Sequence, residues 1–120
     1  MDNQTSDLGG NRIVIRHAEH EFSTLCHLMP KSIRVKVGQA VKRGDIIARC
    51  GNSGHSSEPH IHFQLQNTDK FYSSLGLPIR FKNIKAMPAP NYELYDRRPI
   101  PIQEYDESGY IVRGLVVENE

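Results

Sequence analysis

The chain has 120 residues, of which 38% are hydrophobic, so it is large enough to bury the modest core of one domain. Fifteen basic residues nearly balance fourteen acidic residues, and the formal net charge of +1 supplies no strong field to hold nucleic acid or an anionic membrane. The longest apolar runs, such as 13–15 and 115–117, are far shorter than the roughly 20 residues of a membrane-spanning helix. Composition therefore predicts neither nucleic-acid binding nor a membrane span.

The first half of the chain predicts short antiparallel strands. Residues 12–17 and 22–28 are rich in β-branched and apolar side chains and flank an acidic turn, which indicates a β-hairpin. Apolar and basic side chains alternate at 33–37, as in a strand with one solvated face. Further strands are predicted at 45–50 and 59–66, and the spacing of apolar residues favours no helix of ordinary length.

The second half predicts extended backbone. Residues 86–103 contain four prolines among tyrosines and charged side chains, a composition that favours non-repetitive structure. Residues 109–118 are rich in valine, leucine and isoleucine and predict a last strand. We therefore predict an all-β chain in which 1–85 is the main body and 86–120 belongs to the same unit.

The two cysteines leave their redox state open. Cys26 and Cys50 could form one disulfide if their strands are neighbours, but two buried thiols would look the same in the sequence. Thiols are the favoured interpretation. Neither residue lies in a CxxC pair, so a cysteine-based zinc or redox site is not predicted.

An HxH pattern within a predicted strand is the main chemical signal. Residues i and i+2 of a strand share a face, so the imidazoles of His60 and His62 should project on the same side. Ile61, Phe63 and Leu65 should take the opposite face and anchor the strand in the core. Because two histidines often share a solvated face by chance, HxH alone does not establish a metal or catalytic site.

The surroundings of HxH resemble a known family. Residues 51–63 resemble the GxTGxSxGPHLHF segment of the lysostaphin-type zinc endopeptidases, which include the LytM-like enzymes. Residues 23–28 match the family's strand that ends in HL, and 33–47 match its VxxGxxVxxGxxI turn. Residues 10–17 resemble its GNxVxIxH strand. The motifs occur in register and cover the chain from about Gly10 to Leu65.

The resemblance implies a role for three histidines. His62 matches the last of the family's three protein zinc ligands, whereas His60 and His27 match histidines that act beside the metal. The other two ligands belong to an upstream HxxxD element, and the nine residues before Gly10 contain no histidine. We therefore expect zinc to be weakly bound or absent in this chain, and the isolated chain to be inactive.

The resemblance also implies the fold and the substrate. It implies an antiparallel barrel-like sandwich of the duplicated hybrid motif type, here with the first strands missing, in the carboxyl-terminal part of a peptidase domain. The expected reaction is zinc-dependent hydrolysis of peptide bonds in bacterial peptidoglycan. Residues 1–4 show no secretory signal, so localisation is unknown from sequence, but the family implies the cell envelope or secretion. Exposed strand edges predict self-association.

Other interpretations remain open. A degenerate, non-catalytic binding or interaction module on the same scaffold is the main alternative to an enzyme. A lipoyl or biotinyl carrier is less favoured, because Lys42 beside Arg43 lacks the flanking methionine associated with biotinylation. His17, His20 and His55 are interpreted as loop histidines rather than ligands.

Overall fold

The structure is a computed structural model that describes residues 8–98, 111 and 115–119. These residues fall into two compact units, one within Met1–Leu77 and one within Pro78–Glu120. The predicted boundary at residue 85 stays a prediction. The described elements are the strands β1 (Ile13–Ala18), β2 (Glu21–Cys26), β3 (His62–Gln66), β4 (Ile84–Pro88) and β5 (Leu115–Asn119), with a 3-10 helix at Tyr92–Leu94.

The first unit contains an antiparallel sheet in the order β1-β2-β3. The predicted hairpin of β1 and β2 is present, and the all-β antiparallel class is confirmed. In the second pairing of the sheet, Cys26 at the end of β2 lies opposite His62 at the start of β3. His27 follows Cys26 directly, so this register brings His27 beside the HxH segment.

The buried part of this sheet is unusually polar. Thr24 and Gln66 are almost fully buried, and the Thr24 hydroxyl donates a hydrogen bond of 3.0 Å to Gln66 Oε1. By contrast, Ile61 and Phe63 are each 40% exposed, so the prediction that they anchor the strand in the core is wrong. The buried hydroxyl and amide tolerate burial because each is hydrogen-bonded, and the Gln66 amide nitrogen donates to Thr68 O.

The segment 33–50 contains no strand, contrary to the strands predicted at 33–37 and 45–50. Its two arms are joined by isolated backbone bonds, including one of 2.9 Å from Arg34 N to Ile47 O, rather than by a continuous ladder. Val37 is fully exposed and Ile46 is 73% exposed. Alternating apolar residues form a stable strand only where one face is buried, and here that burial is missing.

The second unit contains the antiparallel pair β4 and β5. The prediction of non-repetitive structure at 86–103 is wrong where β4 and the 3-10 helix occupy it, and 99–103 lie outside the described residues. The last strand is present as β5, although 109, 110 and 112–114 of the predicted range are not described.

After the helix, Arg98 donates hydrogen bonds to Asp96 and lowers the pKa of that carboxyl below its usual value.

Two further expectations can be compared with the structure. Cys26 is buried in β2, Cys50 is exposed, and both are thiols. Within the described ranges, no helix has both the length and the apolar character needed to cross a membrane.

Two glycines form the tightest backbone contact near the sheet. Gly10 and Gly54 have positive φ angles of 61° and 74°, in the left-handed region that favours glycine. A Cβ on Gly10 would lie 2.5 Å from Gly54 N, and a Cβ on Gly54 would lie 2.4 Å from Gly10 N. The turn before β1 and the loop at 51–57 can therefore approach this closely only because these two residues have no side chain.

We predict that Gly10→Ala and Gly54→Ala destabilise the chain far more than Gly38→Ala. Gly38 also has a positive φ, but a Cβ there meets nothing within 4 Å, so alanine should cost only the backbone strain, about 1–2 kcal/mol. The other two replacements add a clash with backbone and should cost about 3 kcal/mol or more. Urea unfolding of the three variants measures this difference, and equal losses would contradict the packing described.

Candidate functional site

Three imidazoles converge at the end of the first sheet. The His27 ring centroid lies 4.7 Å from that of His60 and 5.9 Å from that of His62. His27 follows β2, His60 precedes β3 and His62 begins β3, so the β2–β3 register accounts for the cluster. The structure thus brings together all three residues to which the sequence assigned a role.

His27 is held by backbone on several sides. It is buried, and its φ of 61° lies in the left-handed region, where histidine is found more often than most residues. Its N–H donates to Gly9 O and its carbonyl accepts from Gly51 N, both at 3.0 Å. The ring Nδ1 lies 2.8 Å from Ser53 O. Because a carbonyl oxygen only accepts, Nδ1 bears the proton, and Nε2 of the neutral ring keeps its lone pair.

The Ser53 hydroxyl fixes the loop that orients His27. Ser53 is fully buried, and its Oγ donates a hydrogen bond of 2.7 Å to Leu28 O. The same oxygen accepts a hydrogen bond of 3.0 Å from Asn11 N. One hydroxyl therefore joins the chain before β1, the chain after β2 and the loop whose carbonyl orients the His27 ring.

His60 has the same tautomer as His27. Its Nδ1 lies 2.8 Å from Glu58 O and 3.2 Å from Ser56 Oγ. The Ser56 hydroxyl donates to the same Glu58 carbonyl at 2.8 Å, so Ser56 Oγ and Glu58 O can both accept from the imidazole. Nδ1 of His60 is therefore the protonated nitrogen, and its Nε2 keeps the lone pair.

His62 has the opposite tautomer, which a chain of amides imposes. Gln66 Nε2 donates to the carbonyl of Thr68 at 2.9 Å, which fixes Gln66 Oε1 as the acceptor for Gln64 Nε2 at 2.7 Å. Gln64 Oε1 then lies 2.8 Å from His62 Nε2. Because Gln64 can offer only its oxygen, His62 Nε2 bears the proton and Nδ1 keeps the lone pair. Histidine ligands of metals are commonly oriented by such a bond from the other ring nitrogen.

Sequence reasoning did not identify the groups that orient these rings. Strand alternation places Gln64 on the face of His62, but its link to Gln66 depends on amide orientations that a single sequence does not reveal. Ser53 lies within the segment 51–63 that resembles the family motif, and the motif does not indicate its hydrogen bonds. The i, i+2, i+4 spacing of His62, Gln64 and Gln66 is the one signal that could have indicated the amide chain, because it places all three on one face of β3.

Phe71 lies beside His62, and Tyr72 lies beside Phe71. The Phe71 ring meets the His62 ring edge-on at 6.2 Å and the Tyr72 ring edge-on at 4.9 Å. The Arg12 guanidinium carbon lies 5.2 Å from the Phe71 centroid, and Leu8 N donates to the Tyr72 hydroxyl at 3.0 Å. These contacts build one wall of the site from residues that the sequence analysis did not select.

The other histidines lie outside the cluster. His17 lies within β1 rather than in a loop, and its Nε2 is 2.8 Å from Ser23 Oγ. His20 and His55 are exposed.

A zinc ion needs more donors than the described residues bring together. Within 8–98, 111 and 115–119, no group of three or more His, Cys, Asp or Glu side chains is arranged to hold a metal ion. Structural and catalytic zinc sites use at least three protein ligands. His62 has the orientation of a ligand, but the described ligand set is incomplete.

Comparison with known proteins identifies the family of this all-β chain with its three convergent imidazoles. The model of peptidase family M23 matches residues 1–73. The chain belongs to peptidase family M23, which confirms the resemblance to lysostaphin-type and LytM-like enzymes.

Several curated proteins are similar to this chain. An uncharacterized metalloprotease of Haemophilus influenzae is 42% identical over 55 residues, which cover 46% of this chain and 11% of that protein. Peptidoglycan DD-endopeptidase ShyA of Vibrio cholerae is 41% identical over 56 residues, or 47% of this chain and 13% of that protein. Glycyl-glycine endopeptidase ALE-1 of Staphylococcus capitis is 26% identical over 139 residues, or 92% of this chain and 38% of that protein. The matches thus span little more than a tenth of the first two relatives.

Among solved structures, the catalytic domain of the prophage-encoded M23 protein EnpA from Enterococcus faecalis is 32% identical, with a TM-score of 0.48. The match covers 52% of this chain and 47% of that chain. A zinc-containing peptidase from Vibrio cholerae is 35% identical, with a TM-score of 0.46, over 57% of this chain and 19% of that chain.

We predict that the neutral rings of His27 and His60 are protonated at Nδ1, whereas that of His62 is protonated at Nε2. At about pH 8, above the usual histidine pKa, nitrogen NMR should show Nδ1–H at His27 and His60 and a protected Nε2–H at His62. Gln64→Leu should abolish that protection, because it removes the acceptor, whereas Gln64→Glu should keep it. Exposed His20 provides the unprotected reference. An Nδ1–H form of His62 in the unaltered chain would contradict the amide chain.

Proposed function

We propose that this chain forms part of a zinc-dependent endopeptidase domain that hydrolyses peptide bonds of bacterial peptidoglycan. The observation that best supports this is the convergence of His27, His60 and His62 in a chain of peptidase family M23. Similarity to named peptidoglycan endopeptidases supports the substrate and a place of action in the cell envelope or outside the cell.

The ring nitrogen that keeps its lone pair differs among the three histidines, and the proposed roles follow from this difference. Nε2 of His27 and of His60 have lone pairs that can accept a proton from an attacking water, and the protonated rings can stabilise an oxyanion or protonate a leaving amine. Nδ1 of His62 is the proposed zinc-ligand atom. When bound, zinc supplies polarisation of the scissile carbonyl and a water whose pKa is lowered toward about 7.

Burial separates the two proposed catalytic histidines. His27 is 6% exposed, whereas His60 is exposed and lies closer to solvent. The buried ring, fixed by Ser53 O, is suited to hold an invariant geometry toward the reacting atoms. The exposed ring is suited to exchange protons with bulk water between turnovers.

We further propose that the isolated chain binds zinc weakly, so that it is inactive without added zinc and turns over slowly in excess zinc. His62 is the one residue here that matches a ligand of the family, and a single imidazole does not hold zinc firmly. A non-catalytic binding module on the same scaffold is the second candidate, because no described group of three donors is present.

Zinc retention and hydrolysis test these proposals. After dialysis against metal-free buffer, we expect well below one zinc per chain. In excess zinc, release of amino groups from purified peptidoglycan should be slow, and His60→Ala should reduce it by about 100-fold or more. His20→Ala, at a histidine outside the cluster, should leave the rate unchanged.

The outcomes separate the candidates. Stoichiometric zinc after dialysis would show that the ligand set is complete and contradict the weak site. Peptidoglycan binding with no hydrolysis at any zinc concentration would contradict the peptidase and support the binding module.

We also propose that the chain self-associates through a sheet edge. Among the described residues, β1 pairs only with β2, so its other side presents unpaired backbone groups that a second chain can bond. Light scattering should show a molecular mass that rises with concentration, and Val14→Lys, which places a charge at an exposed position of this edge strand, should reduce the rise. A monomeric mass at all concentrations would contradict this.

A further inference from the structure

A small cavity with a basic wall lies next to the histidine cluster. Its volume is about 170 Å³. This is less than the roughly 300–1,000 Å³ of pockets that hold drug-sized ligands, so the cavity suits one side-chain-sized group. It is lined by Met29, Pro30, Lys31, Ser32, Arg34 and Arg49.

Three of the six lining residues are cationic and none is acidic. The described residues include the ion pairs of His20 with Glu19 and of Arg98 with Asp96, and neither pair involves the cavity. With a net charge of only +1 for the whole chain, this positive cluster is a local feature rather than a general excess. Cations placed together without carboxylates repel one another, and an anion between them relieves that repulsion.

The backbone holds one of these cations in a conformation that favours glycine. Ser32 N donates to Met29 O at 3.2 Å, which closes a turn with Pro30 and Lys31 at its centre. Lys31 has a φ of 60°. A turn with proline second and a positive φ third is ordinarily built with glycine at the third position. Such strain at a non-glycine residue is frequent at binding sites, where the side chain is needed.

The wall is also braced across the chain. The Ser32 hydroxyl donates to Met29 O at 2.7 Å and accepts from Arg49 N at 3.1 Å. The turn that presents Lys31 is therefore tied to the backbone of Arg49, so two of the three cations belong to one bonded frame.

The cavity continues the pairing that positions His27. His27 O accepts from Gly51 N, Leu28 and Cys50 form an isolated bridge, and Met29 N donates to Arg49 O at 2.8 Å. Two steps along this pairing correspond to about 7 Å, the length of two residues of an extended peptide. A peptide lying across the histidine cluster can therefore place a nearby side chain at the cavity.

We propose that this cavity binds the carboxylate of an acidic residue in a peptide substrate, close to the bond that is cleaved. The proposal rests on the proposed function for the identity of the peptide. Arginine guanidinium groups match the planar, two-oxygen geometry of a carboxylate. The size of the cavity and its position beside the peptidase site favour a peptide carboxylate over a phosphate of a wall polymer.

Binding can be measured without zinc and without hydrolysis. The probes are the acetylated, amidated tripeptide Ala-Glu-Ala and its analogue Ala-Gln-Ala, titrated against the chain and followed by NMR. We expect the acidic tripeptide to bind about fivefold more tightly, with a preference that salt weakens. Arg34→Gln and Arg49→Gln should each reduce that preference, whereas Arg43→Gln, an exposed arginine outside the cavity, should not.

Lys31→Gly separates binding from folding. It removes the cation and relieves the positive φ, so affinity for the acidic tripeptide should fall while the melting temperature stays the same or rises. A fall in both would show that Lys31 is structural and would overturn its proposed role.

Equal affinities for the two tripeptides, or unchanged affinities in the cavity variants, would overturn the proposal. Tighter binding of a glycerol phosphate oligomer than of the acidic tripeptide would overturn it in favour of a phosphate polymer. If the acidic preference is present but peptidoglycan is not hydrolysed in excess zinc, the cavity stands and the peptidase function fails, so the two failures are distinguishable.

Discussion

The close passage of the Gly9–Gly10 turn over the loop at 51–57 is the constraint on which the site depends. His27 N bonds to Gly9 O, His27 O accepts from Gly51 N, and His55 N bonds to Leu8 O. These bonds close because Gly10 and Gly54 have no Cβ atoms where the two backbones meet. The Ser53 carbonyl is thereby carried to the His27 ring, and no long-range packing of large apolar side chains is needed to place it.

The polar core of the sheet is explained by the hydrogen bonds that connect it to His62. A buried amide and hydroxyl contribute less to stability than a packed apolar pair of similar volume, and one unpaired member costs about 1–3 kcal/mol. Here the buried Thr24 and Gln66 form the fixed end of a chain of donors that terminates at His62. The polar core therefore exchanges some stability for a defined orientation of an exposed imidazole.

The tautomers follow from which acceptor lies next to each ring. Main-chain carbonyls fix Nδ1–H at His27 and His60, whereas a side-chain amide fixes Nε2–H at His62. His27 and His60 thus keep a lone pair on Nε2 and His62 keeps one on Nδ1, although all three residues are chemically identical, and the roles that we propose for them follow from this difference. Differences in role arise from the neighbours and not from the histidines themselves.

The sequence predicts the parts of this arrangement that depend on local pattern. The β1–β2 hairpin, the HxH signal and the convergence of His27 with it follow from strand periodicity and from recognisable motifs. The sequence does not predict that 33–37 lacks a ladder, because alternation describes a face without showing whether anything covers it. The basic cavity is lined by Arg49 and by the turn at Lys31, which are 18 positions apart, so the sequence does not predict that they lie together.

We propose that Nδ1 of His62 binds zinc with His27 and His60 beside it. Anomalous X-ray scattering at the zinc edge, from crystals of the protein soaked in excess zinc, tests this most directly. A zinc peak is expected about 2.0–2.1 Å from His62 Nδ1, with Nε2 still bonded to Gln64. A zinc ion bound to His62 through Nε2, or bound only at residues remote from the three rings, would contradict it.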